Sequence, residues 1–255
     1  MRRFTILGCG SSLGSPWINK YKGILNLKNK RNIRTRCCAH IQYDKLSIIL
    51  DTSPDIKKQI LDNNIKNVDS ILYTHEHTDQ SSGIFEMRPF FWQNKKKIPI
   101  YGSKRTIKEL VSKYTFCFKK RFGYSPIMKS NIVNRSFYIK KGKSQLRVTP
   151  FQVKHGQIES TGYRFKNICY ISDCNQIYKK SFNCLKKLDC LIIDSLRRKK
   201  HPSHFNVEDA LKLIHEVKPK RGILTNLHVD LDYDILKKEL PKNVVPAYDG
   251  MSFSF

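Results

Sequence analysis

The sequence predicts one mixed α/β domain, residues 1–255, built on two sheets, and three observations lead there. Nine short apolar runs rich in β-branched residues recur along the chain, five helical patterns lie between them, and no Pro/Gly/Ser linker, internal repeat or low-complexity tract divides it. With 40% of its 255 residues hydrophobic, the chain has ample material for a buried core.

Taken in order, the first run is Phe4–Leu7, leading into Gly8-Cys9-Gly10-Ser11-Ser12-Leu13-Gly14. That spacing is not the dinucleotide-binding one and no βαβ return follows, so a tight turn carrying Ser11 and Ser12 is expected. Residues 18–36 are polar, basic and aperiodic, and read as a surface loop or lid. Two strands follow, Ala39–Tyr43 and Leu46–Leu50, and then a helix over Pro54–Asn63, entered through Ser53-Pro54-Asp55. Val68–Tyr73 and Ile98–Tyr101 are strands, and Ser103–Tyr114 is a helix. Lys119–Lys143 reads as a second basic loop or lid. Strands over Leu146–Val153, Ile168–Ile171, Cys190–Ile193 and Gly222–Thr225 alternate with helices over Tyr178–Lys187, Val207–Val217 and Tyr233–Leu240. Asn206, ahead of Val207, Glu208 and Asp209, is a strong helix entry.

Forty-eight Lys and Arg against 21 Asp and Glu give a formal charge of +27, which favours anionic partners and disfavours cationic ones. A solvated, lysine-rich face is an equally weighted reading of that charge. No stretch approaches the roughly 18 consecutive apolar residues of a spanning helix, and Phe4–Leu7 is too short for a signal peptide, so no membrane partner and a cytoplasmic location are expected. The eight cysteines form no C-x-x-C pair and read as reduced thiols.

The chemistry concentrates where apolar strands end. After Val68–Tyr73 comes Thr74-His75-Glu76-His77-Thr78-Asp79. On extended backbone His75 and His77 face the same side, so both imidazoles can reach one metal ion, and a turn could aim Asp79 at a second. His155, Asp173 and His228 each follow a later strand, which repeats the same geometry and makes them joint candidates for the metal set. Asp51 also ends a strand, as a hydrogen-bond orienter of a ligand imidazole or as the cap of the Pro54 helix. Asp249 is a weaker candidate for the orienting role. Arg34, Arg36, Arg197 and Arg198 are candidates to grip phosphate oxygens, though none is individually compelling and the phosphate-binding set stays unassigned.

These motifs together resemble the metallo-β-lactamase-fold hydrolases, and the resemblance runs nearly end to end. It is carried by Gly8-Cys-Gly-Ser-Ser, Leu50-Asp-Thr-Ser-Pro-Asp, Thr74-His-x-His-x-Asp, Val153-Lys-His-Gly, Ser172-Asp and Ala247-Tyr-Asp-Gly-Met. Within that group the chain is most similar to the cyclic phosphate phosphodiesterases (PhnP-like), with tRNA 3′-processing endonucleases more distant. The resemblance implies a four-layered αββα sandwich, a first metal site at His75, His77 and His155, a bridging carboxylate at Asp173 and a second-site ligand at Asp79. It also implies a proton donor at His204, six residues before Ala210. Two positions depart from the pattern. Gln80 stands where the motif continues with histidine, and Asn226 follows Leu224-Thr225 where relatives carry their last histidine, so His228 is the alternative ligand. An amide oxygen is a weak ligand beside imidazole, which leaves one or two ions open, with zinc at the first site and a harder ion such as manganese an option at the second.

The expected function is metal-dependent hydrolysis of a small cyclic phosphate ester, with the metal lowering the pKa of bound water, Asp79 orienting that water or holding a second ion, and His204 protonating the leaving oxygen. Two alternatives stand beside it: a tRNA 3′-end processing ribonuclease, favoured by the charge, and a catalytically weak binding protein with a degraded second site. The expected partner is an anionic small molecule, with RNA second, and a homodimer is left open.

Overall fold

The computed structural model describes residues 2–120 and 123–255. Its strands are β1 (Arg2–Gly8), β2 (Cys38–Tyr43), β3 (Leu46–Leu50), β4 (Ser70–Leu72), β5 (Ile98–Gly102), β6 (Met128–Ile132), β7 (Phe137–Lys141) and β8 (Ser144–His155). They continue with β9 (Ile158–Phe165), β10 (Ile168–Ile171), β11 (Gln176–Ile177), β12 (Cys190–Asp194), β13 (Arg221–Thr225), β14 (Val244–Pro246) and β15 (Met251–Ser254). One sheet runs β15-β1-β2-β3-β4-β5-β6; the other runs β11-β8-β9-β10-β12-β13-β14, with β7 paired to β8. The helices are α1 (Ile56–Asp62), α2 (Thr78–Ser81), α3 (Arg88–Asn94), α4 (Lys104–Lys113), α5 (Thr115–Phe118), α6 (Val207–Val217) and α7 (Tyr233–Glu239). Among the described residues, no helix is long and apolar enough to cross a membrane.

Strand periodicity explains the four layers. Successive side chains leave a strand on opposite faces, so a fully apolar run must be covered on both. In β3, Ile48 and Leu50 enter the core between the sheets while Ile49 faces outward. In β12, Cys190 and Ile192 point inward and Leu191 and Ile193 outward. Phe4, Ile41, Tyr163, Phe165 and Tyr170 fill the inter-sheet layer. Ile56, Ile60, Ile107 and Leu110 of α1 and α4 cover the outer face of the first sheet; Ala210, Leu213, Ile214 and Leu236 of α6 and α7 cover the second. The helix entries are capped as their sequences require, with Ser103 accepting from Thr106 N, Asn206 from Asp209 N and Asp232 from Asp234 N and Ile235 N.

Two expectations about elements are corrected. Tyr178–Lys187 forms 3₁₀ turns over Lys179–Leu185 in place of an α-helix, and buries only Ser181 and Leu185. Such a short apolar stripe gives an α-helical face little to bind. The supposed loop Lys119–Lys143 contains β6 and β7. Both are edge strands with lysines on exposed positions, a composition that protects an edge from pairing and also hides the period of two. Arg121 and Phe122 of that segment lie outside the described residues.

Candidate metal centre and active-site pocket

β1 and β2 are antiparallel, as are β2 and β3, while β3 and β4 are parallel; the C-terminal ends of β1, β3 and β4 therefore share one edge. The same bookkeeping puts the ends of β8, β10, β12 and β13 together on the second sheet. Open sheets collect their functional loops at such edges. Here the edges meet at a pocket of about 340 Å³ lined by Ser11, His77, His155, Asp173, His204 and Asn226, among others.

His77 and His155 line its floor, with His75 buried against them. The rings of His75 and His77 are centred 4.5 Å apart, and His155 lies 5.0 and 5.1 Å from them. Glu76, between the two histidines, points the opposite way and is tied to Arg105 Nε at 2.8 Å, with Lys113 Nζ on its backbone carbonyl, so α4 fixes the alternation. The nitrogens that face inward are set by what the outward ones touch. His155 Nδ1 lies 2.7 Å from Ser203 O, a carbonyl that can only accept, so Nδ1 carries the proton and Nε2 a lone pair. Nε2 in turn faces His77 Nδ1 at 3.3 Å.

His75 is prepared through Thr74. Asp51 accepts from Thr74 N at 2.8 Å and Thr74 Oγ1 at 2.9 Å, and Oγ1 lies 3.0 Å from His75 Nδ1. Burial pushes the Asp51 carboxyl up, against the pull of both Thr74 bonds. Thr74 Oγ1 donates to Asp51 Oδ2 and turns a lone pair to His75 Nδ1, an arrangement in which Nδ1 carries the proton and Nε2 the lone pair. That Nε2 is buried without a hydrogen-bond partner, 3.9 Å from Asp173 Oδ2. Burial, beyond the opposing effect of Asp173, lowers His75 to about 3, and burial followed by His155 lowers His77 as well, so both stay neutral near pH 7. Three imidazoles converging with an orphaned nitrogen are a donor set that fits a divalent cation. Thr74→Val, which keeps the shape and removes the relay, is expected to weaken metal affinity 10- to 100-fold in competition with an indicator dye, the usual cost of losing a partner behind a ligand.

Asp173 stands above this floor. Burial acts to raise it, but His75, His204 and His155 outweigh that and hold it below the usual carboxylate range. Asp79 is raised to about 6 by burial and then by Asp173. His204 closes the other wall: its ring is 4.7 Å from His155, and Nδ1 lies 2.7 Å from the buried Asp194 Oδ2. Burial alone would lower His204, but Asp194, with Asp173 and Asp79 behind it, overrides this and lifts it to about 9.

With this geometry in view, residues 47–226 match the beta-lactamase superfamily domain. The chain belongs to the beta-lactamase superfamily. Its αββα sandwich is that of the metallo-β-lactamase-fold hydrolases, a fold that implies divalent-metal binding, and its His/Asp clusters have the spacing for it. The chain is similar to the solved structure of a diphosphatase from the PhnP family, at 29% identity and TM-score 0.90 over 100% of this chain and 98% of that one. It is similar in fold to the short form of human tRNase Z, at 18% identity and TM-score 0.71 over 99% and 98%. Among curated proteins it is 28% identical over 254 residues to an octanoyltransferase of Porphyromonas gingivalis, covering 98% of this chain and 51% of that protein. The chain thus spans about half the length of that relative.

Within this superfamily member, the candidate residues separate into those the fold brings together and those it does not. His75, His77, His155, Asp173, Asp79 and His204 converge, with Asp51 behind them. Ser11 and Ser12 reach the same pocket. His228 does not join the metal set: its Nδ1 is 3.0 Å from Asp230 and its ring stands edge-on to Trp17, on the pocket rim. Two extra residues after Thr225 carry it past the edge, and Asn226 occupies the inner position with φ of 63°. Asp51 leaves the α1 entry to Asp55 and Ser53, and Asp249 binds Cys9 N and Thr35 N and touches no ligand imidazole.

Of the arginines, Arg34 is buried and donates to the carbonyls of Arg31, His228 and Leu231, which removes it from any phosphate. Arg36 pairs with Asp55 and Arg198 with Glu239; Arg197 alone of the four lines the pocket. Asp194, the partner of His204, was not singled out from the sequence. The signal was there, since it follows Cys190–Ile193 as Asp51 and Asp173 follow their strands.

Proposed function

We propose that the protein is a metal-dependent hydrolase of small phosphoric diesters, including cyclic esters, or of diphosphates. The observation that carries this reading is His204, held by buried Asp194 and lining the same pocket as His77 and His155. A divalent ion on His75, His77 and His155 supplies Lewis-acid activation of water and of a phosphoryl oxygen. The chain's own residues do the rest. Asp79 and Asp173 accept hydrogen bonds from water on the pocket floor, and His204 places a proton donor beside the site where an alkoxide leaves. Arg197, Ser11 and Ser12 give the opposite wall donors for an anion.

A pocket of about 340 Å³ suits a small ester, and this favours it over structured RNA, the second reading that the charge keeps alive. The reading supposes a reducing, cytoplasmic setting, supported by eight free cysteines. Protein reconstituted with zinc or manganese is expected to turn over bis-p-nitrophenyl phosphate, a nucleoside cyclic phosphate or a diphosphate ester. Cleavage of a structured tRNA precursor with no turnover of any small ester would reverse the assignment.

A further inference from the structure

The second metal position carries an inference of its own, which rests on the metal-hydrolase reading above. We propose that the site holds a single divalent ion, on His75, His77 and His155, and that the carboxamides of Gln80 and Asn226 close the position of a second.

A second ion beside Asp79 and Asp173 needs further lone pairs. The structure presents N–H groups there instead. Gln80 Nε2 lies 3.2 Å from Asp173 Oδ1 and 3.5 Å from Asp79 Oδ2, so the amide donates to both carboxylates across the space an ion would share. Gln80 is buried, and its Oε1 has no partner on the far side. Turning the amide over would set that oxygen against two carboxylates, so the donating arrangement is the stable one unless a cation intervenes.

Asn226 closes the other flank. Its Nδ2 lies 3.1 Å from Asp194 Oδ1 and 3.1 Å from His204 Nδ1. Among the described residues, the remaining cluster with metal-ligand spacing is His155, Asp173 and His204. It fails as a second site on hydrogen placement. The His204 atom near Asp173, Nδ1 at 3.8 Å, lies 2.7 Å from Asp194 Oδ2 and carries its proton toward that carboxylate. His155 Nε2 already faces His77 in the first site. Asp194 itself accepts from Cys174 N, Asn226 and His204, so it has no need of a cation to be satisfied.

The two amides therefore do by hydrogen bonding what a second ion does by charge: they hold Asp79, Asp173 and Asp194 in place. They are positioning residues, and the test reads metal count apart from activity. Wild-type protein saturated with zinc and desalted should carry one equivalent by elemental analysis, and its manganese form should give the resonance of an isolated ion in electron paramagnetic resonance. Gln80→His/Asn226→His should carry two equivalents and give a spin-coupled manganese pair. Histidine tolerates the positive φ at 226 better than most residues, and Gln80→His alone serves if the double variant does not fold.

Two equivalents in the wild type would overturn the proposal and leave the hydrolase reading standing. None would remove both. A histidine variant that folds and stays at one equivalent would overturn the role given to the amides.

Discussion

His75→Ala is expected to yield a folded protein that retains no stoichiometric metal and loses phosphodiester turnover by well over the roughly 100-fold that a disturbed partner behind a ligand costs. His75 is fully buried, and its Nε2 has no protein partner to satisfy it. A structural histidine at such depth would have both ring nitrogens paired, because an orphaned buried polar atom costs about 1–3 kcal/mol. The orphan is tolerated where a cation completes it. Elemental analysis and turnover of bis-p-nitrophenyl phosphate, with circular dichroism confirming the fold, check this. A variant as active as the wild type would favour a binding protein that kept the fold, and would remove the enzyme reading.

His204→Asn is expected to lower turnover of esters with alkyl leaving groups by 10²- to 10⁴-fold, the range for loss of a general acid, and to affect a p-nitrophenyl ester far less, because that leaving group departs without a proton. The pH dependence has a definite sign. With its pKa lifted to about 9, His204 is protonated at neutral pH, and its contribution disappears as pH rises through about 9. Burial lifts Asp194 to about 6, with His204 opposing, so below about 6 the carboxylate that positions the imidazole is itself protonated. Turnover of an alkyl ester should form a plateau between these limits. The asparagine variant should lose the alkaline limb that His204 governs. Equal losses with both leaving groups would show that His204 only supports the pocket.

Much of the metal floor was legible as sequence because its logic is local. His75 and His77 alternate with Glu76 on extended backbone, and period two alone puts both imidazoles on one side. His155 and Asp173 were legible for a related reason: each ends an apolar strand, and parallel strands end at a common edge. The same rule misled at His228, because a strand end fixes the edge and not the distance past it. It was left unused at Asp194, whose role depends on His204 arriving from the loop after β12.

Arg34 shows the limit most clearly. As a sequence it is a basic residue in a basic loop, and as a structure it is a buried tether for carbonyls some two hundred residues away, 194 positions for His228 and 197 for Leu231. Residues 119–143 fail in the opposite sense, since their strands exist only by pairing with β5 and β8, and the exposed lysines carry no pattern of their own.

The sequence by itself showed two sheets, His75 and His77 on one side of an extended segment and polar candidates at the ends of apolar strands, because these follow from side-chain periodicity. The four layers and the grouping of His155 with that pair came from the resemblance to the metallo-β-lactamase-fold hydrolases. Only the tertiary structure decided which way the amides of Gln80 and Asn226 point, which histidine gains a carboxylate and which arginine is buried. Those outcomes depend on hydrogen-bond partners brought together from opposite sheets, and a hydrogen bond is set by distance and direction in space, which residue spacing along a chain does not encode.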